Sequence, residues 1–110
     1  MDKTPKIYFI GSGKLSEAFL KKLHESTTLD FIGGATGGPR PGKRGRHPVP
    51  TAAQSYARTL GFELEEVPDV NDNAWLDHLE TLAPDLVLVV SFGQILRQRL
   101  LQLPRFGCVN

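Results

Sequence analysis

Apolar residues along this chain fall into short runs of one period separated by longer stretches of another. Residues 6–10 form an apolar, β-favouring run that ends at Gly11-Ser12-Gly13, which predicts a strand closing in a tight turn. From Leu15 the period changes. Leu15, Ala18, Phe19 and Leu23 recur at helical spacing, while Lys14, Glu17, Lys21 and Lys22 cover the other face. A second strand is predicted over 29–35, then a loop rich in Gly and Pro to about Pro50, whose fixed φ and missing N–H suit the first turn of a helix. That helix is predicted over 51–60 and stops at Gly61, a good left-handed cap residue. A weaker strand over 62–67 leads to a helix capped by Asn71, Asp72 or Asn73, with Trp75, Leu76, Leu79 and Leu82 as its stripe and Pro84 as its end. Residues 86–90 are apolar on both faces and rich in β-branched valine, as a central strand covered by helices on both sides requires. A helix over 94–103 and a strand beginning at Phe106 complete the pattern.

This alternation predicts an α/β fold: an open, mostly parallel twisted sheet with helices on both faces. Ligands of such sheets bind beyond the carboxyl ends of the strands. That nominates the turn at 11–14, the loop at 35–50 and the segment 91–96, with Asn110 at the same edge. A chain of 110 residues suits one small domain. It closes on an apolar strand with no covering helix after it, so the expectation is a truncated, front portion of a larger enzyme domain.

Composition narrows the class. Hydrophobic residues at 40% and charged residues at 23% exclude disorder as the overall state. No apolar run approaches the ~18 residues that cross a bilayer, and Met1 to Lys6 runs straight into a strand with no signal peptide. The single cysteine, Cys108, excludes an internal disulfide and suits a reducing cytosol, so a cytoplasmic protein is expected. Its apolar neighbours make it a packing group. The net charge of +1 conceals a basic zone: between Asp30 and Glu63 there is no acidic residue, yet Arg40, Lys43, Arg44, Arg46 and Arg58 all fall there. A local anionic partner fits that distribution.

Gly11-Ser12-Gly13 is half of a dinucleotide fingerprint, with Ser16 where a third glycine would stand. The second strand ends in Ala35 and Thr36 where an acidic ribose ligand is wanted, while nearby arginines leave an NADP-binding Rossmann domain open. The alternative is a tight strand-to-helix turn whose amides bind some anionic or polar group. Loops longer than ~12–15 residues are usually functional or disordered, and the basic residues at 40–46 could grip nucleic-acid phosphates, as in an RNA-binding module. Histidines 24, 47 and 78 show no metal-ligand spacing, and no Ser-His-Asp arrangement can be defended; no metal is expected.

Pro84-Asp85-Leu86-Val87-Leu88-Val89-Val90-Ser91-Phe92-Gly93-Gln94-Ile95-Leu96, followed by Leu103-Pro104-Arg105-Phe106-Gly107-Cys108-Val109-Asn110, closely resembles the methionyl-tRNA formyltransferase family. The resemblance covers essentially the whole chain, which would be about the first third of such an enzyme. It implies transfer of a formyl group from 10-formyltetrahydrofolate to the amino group of methionine on initiator tRNA, by a protein that is a monomer when full length. It makes Asn110 the catalytic asparagine, donating to the oxyanion that grows on the formyl oxygen. It makes Phe92, Gly93, Gln94, Ile95 and Leu96 the segment lining the pterin pocket, and Arg40, Lys43, Arg44 and Arg46 the tRNA-gripping segment. Gly11, Ser12 and Gly13 stand on the acceptor side, where the family has Gly-Thr-Pro; Ser91-Phe92 replaces its usual Ala-Tyr. A relative that formylates an amino sugar or a purine precursor on the same scaffold therefore stays open. The family's catalytic histidine and aspartate come after the asparagine, so this polypeptide alone is expected to be inactive.

Overall fold

Strand β4 (Leu86–Val90) lies inside the sheet because its side chains find apolar partners on both faces. In this computed structural model, which describes residues 4–38 and 48–110, β4 pairs with β1 (Lys6–Gly11) on one side and β5 (Cys108–Val109) on the other. β1 pairs in turn with β2 (Asp30–Thr36), and β2 with β3 (Glu65–Glu66). The resulting five-stranded sheet has the order β3-β2-β1-β4-β5, and every pair is parallel. Helices α1 (Ser16–Glu25), α2 (Ala52–Thr59), α3 (Asn73–Leu82) and α4 (Gln98–Gln102) fill the crossovers. The strand order reverses between β1 and β4, which makes their carboxyl ends the place to look for a site.

Alternation along the strands divides the core in two. Tyr8, Ile10, Val87 and Val89 face Leu76 and Leu79 of α3 and Leu100 of α4. On the opposite face Ile7, Phe9 and Val90 meet Leu20 and Leu23 of α1 and Ala53 and Ala57 of α2. Each large side chain so buried contributes about 1.5–3 kcal/mol. A bulge in β1–β2 pairing follows Ile7, where Gly33 takes a φ of 142° beside the Tyr8 ring.

Helix ends follow the expected chemistry, with adjustments. Asp72 is the cap of α3, accepting from Trp75 N at 3.1 Å. Thr51 caps α2, accepting from Gln54 N at 3.1 Å, so Pro50 stands before the cap and not in the first turn. Gly61, at φ 94°, follows α2 as predicted. The third strand shrinks from 62–67 to two residues. Its Leu64 spends both backbone groups on the buried Gln54 carboxamide, donating to Oε1 and accepting from Nε2 at 2.9 Å each, and is lost to strand pairing. The last helix begins at Gln98, not Gln94, for a reason that belongs to the site.

Candidate active site

The turn between β1 and α1 is held by its neighbours. Both Ser12 N and Gly13 N donate to the carbonyl of Ser91, at 3.1 and 3.0 Å, across the point where strand order reverses. Ser91 reaches them from a left-handed backbone conformation, φ 51°. Ser12 O accepts from Ala53 N at 3.0 Å, and Ser12 Oγ accepts from Gly37 N at 2.9 Å. A buried Thr36–Thr51 hydroxyl pair, 2.5 Å apart, ties the ends of β2 and the start of α2 together. Gly11, Ser12 and Gly13 thus form a junction among four segments. Two of the amides that a dinucleotide phosphate would use, those of Ser12 and Gly13, are already bonded to Ser91 O, which counts against the Rossmann-type cofactor reading.

Residues 91–97 are irregular where a helix was expected from 94. The helical spacing of Ile95, Leu96, Leu100 and Leu103 is real, but two side-chain amides draw the first part of the segment away. Gln94 Oε1 accepts from Val70 N at 3.0 Å while its Nε2 donates to Pro68 O at 2.9 Å. Asn71 Nδ2 donates to Ile95 O at 2.8 Å while its Oδ1 accepts from Arg97 N at 2.9 Å. Backbone groups committed in this way cannot enter a helical ladder. Ile95 is 81% exposed, so it does not pack into the core. Phe92 and Leu96 are partly buried against the face that holds Val87 and Val89.

Beyond β4 and β5 lies a cleft of about 260 Å³ lined by Val89, Gln94, Leu96, Leu101, Cys108, Val109 and Asn110. It brings Gln94 and Leu96 together with Asn110, which stands at the end of β5 one strand away. Phe92, Gly93 and Ile95 are not among its walls. Leu101 and Cys108 are, and nothing in the residue spacing nominated them as site residues. The Cys108 thiol donates to Leu100 O at 3.6 Å, and burial pushes its pKa up, which keeps it protonated. The walls are apolar apart from the Gln94 and Asn110 carboxamides and that thiol, and none of these lining residues is a His, Asp or Glu. The cleft can therefore take a flat, largely apolar group and offer it amide hydrogen bonds; no side chain in its walls is suited to moving a proton near neutral pH.

A larger cleft of about 390 Å³ lies at the other edge, lined by Glu65, Glu66, Val67, Pro68, Asp69, Asp72 and Trp75. Its four carboxylates repel any polyanionic ligand. Arg40, Lys43, Arg44 and Arg46 lie outside the described residues. Among the described residues no group of three or more His, Cys, Asp or Glu is placed to hold a metal ion, and no helix is long and apolar enough to cross a membrane.

No family model matches the chain. Curated relatives do. The chain is 33% identical to the methionyl-tRNA formyltransferase of Macrococcus caseolyticus over 105 residues, 96% of this chain and 33% of the relative. It is 37% identical to that of Moorella thermoacetica and 35% to that of Geobacter sulfurreducens, with the same coverage. The chain thus spans about a third of the length of the curated relatives it matches. Among solved structures, a phosphoribosylglycinamide formyltransferase from Campylobacter jejuni superposes with a TM-score of 0.66 at 16% identity, covering 94% of this chain and 56% of that one. At that identity the likeness establishes a shared formyltransferase-type Rossmann-like fold.

Proposed function

We propose, from the kinship of this chain with the methionyl-tRNA formyltransferases, that it supplies the N-terminal, folate-binding part of a cytoplasmic, monomeric formyltransferase catalytic domain. The observation that carries the reading is the cleft in which Gln94 and Leu96 meet Asn110. Apolar walls from Val89, Leu96, Leu101 and Val109 suit one face of a pteridine ring. The co-substrate, 10-formyltetrahydrofolate, brings the formyl carbon; the acceptor is the amino group of methionine on initiator tRNA. As that amine attacks, the formyl oxygen gains negative charge, and the Asn110 Nδ2–H is the donor offered to it. A donor of this type is worth about 3–4 kcal/mol in the transition state. The carbon–nitrogen bond to the folate then breaks, and a proton leaves the former amine. The cleft's lining residues hold no base for that last transfer, so the 110-residue chain by itself is expected to bind and not to turn over. Arg40, Lys43, Arg44 and Arg46 are the tRNA contacts.

Calorimetric titration with 5-formyltetrahydrofolate, a stable reduced folate, tests the donor side. Saturable one-to-one binding, with no binding of NADP, is the expected result. Binding of NADP in its place, or no folate binding at protein concentrations up to about 1 mM, would overturn the assignment. The departure from Gly-Thr-Pro at Gly11-Ser12-Gly13 is the feature that bears on the acceptor. Assaying a protein that contains this chain within a complete formyltransferase, with charged initiator tRNA against amino-sugar and purine-precursor amines, separates the two acceptor classes.

A further inference from the structure

Four hydrogen bonds join the 68–71 turn to the 94–97 segment, and each uses a side-chain carboxamide. Gln94 crosses from the second segment to the backbone of the first, spanning Pro68 O and Val70 N. Asn71 crosses the opposite way, spanning Ile95 O and Arg97 N. A carboxamide holds a donor and an acceptor on one rigid plane, so it can engage a carbonyl and an N–H together; a carboxylate or an alkyl group cannot. The two backbone groups that Asn71 engages bracket Leu96, whose side chain is a wall of the cleft. Asn71 itself is not part of that wall.

We propose that Asn71 is a positioning residue for the cleft: with Gln94 crossing it, the Asn71 side chain holds 94–97 out of the helix and so fixes Leu96 against the bound pteridine. This rests on the folate reading above. It also gives Gln94 a second part, since one N–H of its amide is committed to Pro68 O and one oxygen lone pair to Val70 N. Released from the Asn71 bonds, the backbone of 95–97 loses what fixes its path, and Leu96 would leave the cleft.

Three chains decide it: wild type, Asn71→Ala and Asn71→Asp, the last keeping the acceptor for Arg97 N while losing the donor to Ile95 O. Each is measured for affinity to 5-formyltetrahydrofolate, for its thermal unfolding midpoint, and for amide exchange at Arg97 with Val89 as a core reference. The expected result is an affinity loss of about tenfold in Asn71→Ala and a smaller loss in Asn71→Asp. Arg97 exchanges faster in Asn71→Ala and stays protected in Asn71→Asp, while Val89 protection and the midpoint change little. Unchanged affinity in Asn71→Ala overturns the proposal, as does a loss that only follows a fallen midpoint and an exposed Val89. A wild-type chain that ignores the folate sinks the ligand assignment and the positioning role together. Arg97 exchange then shows separately whether the crossed amides hold the segment.

Discussion

Tyr8 is a buried phenol in the middle of β1, donating to Glu65 Oε1 at 2.6 Å, while Glu65 Oε2 lies 3.3 Å from His78 Nε2. Burial first, then the hydrogen bond to Glu65 and its negative charge, push the Tyr8 pKa far above its ordinary value. The folded chain therefore keeps this proton where the unfolded chain gives it up. Stability owed to Tyr8 is complete below the phenol's unfolded pKa of about 10 and declines above it, by up to about 1.4 kcal/mol per pH unit. Urea titrations of wild type and Tyr8→Phe at neutral pH and at about pH 11 check this. The variant should be roughly 1 kcal/mol weaker at neutral pH, and the gap should close or reverse in alkali. A gap that stays constant would refute it. Beyond the end of β5, Asn110→Ala in a complete formyltransferase should lower turnover by about 10²–10³-fold. Its folate affinity should stay near wild type, since the donor is needed most when the oxygen is charged. The role given to Asn110 came from the local motif; the partner role of Asn71 had no sequence signal beyond its candidacy as a helix cap.

Elements were legible where one strong pattern ruled. Leu86 to Val90 reads as an interior strand because both faces are apolar, and both faces are covered. The helix over 94–103 was misread because apolar spacing cannot register a competing carboxamide that lies more than twenty residues away. The strand over 62–67 shortened for a related reason, with Gln54 capturing the backbone of Leu64. Two elements, one mechanism: long-range amide bonds override local periodicity. The β1–α1 junction is constrained by space. A methyl group on Gly11 would stand 2.5 Å from the Phe9 ring and 2.6 Å from Ser16 Oγ, and would also meet Val90 O. Gly11→Ala should cost about 1–3 kcal/mol, read as a lowered denaturation midpoint. An unchanged midpoint would mean the junction gives way more easily than its packing implies. At the start of α2, Thr51→Ala removes both a cap and the partner of Thr36, and should cost at least the ~1 kcal/mol of an ordinary cap.

For the molecule as a whole, charge is arranged in separate territories. Glu65, Glu66, Asp69 and Asp72 surround a cleft at the β3 edge, and the cleft beyond β4 and β5 has no charged side chain in its wall. The basic residues 40–46 belong to the connection between β2 and α2. If they grip tRNA, binding by a complete formyltransferase should weaken steeply with salt, and Arg44→Ala should lower the slope of log K against log salt by about one phosphate's share, near 0.9. A flat salt response, or an Arg44→Ala variant indistinguishable from wild type, would remove that connection from the interface. Turnover by the purified 110-residue chain alone would show that proton transfer needs no group beyond those lining the cleft.

The carbonyl of Ser91 has a consequence for what this scaffold can become. By accepting from both the Ser12 and Gly13 amides, it acts as a resident anion surrogate that an incoming phosphate would have to displace to reach those two donors. On the folate reading proposed above, recognition lies one strand sideways, in the hollow beyond β5. A designer who wished to graft nucleotide affinity onto this protein would have to begin by rerouting that single peptide oxygen.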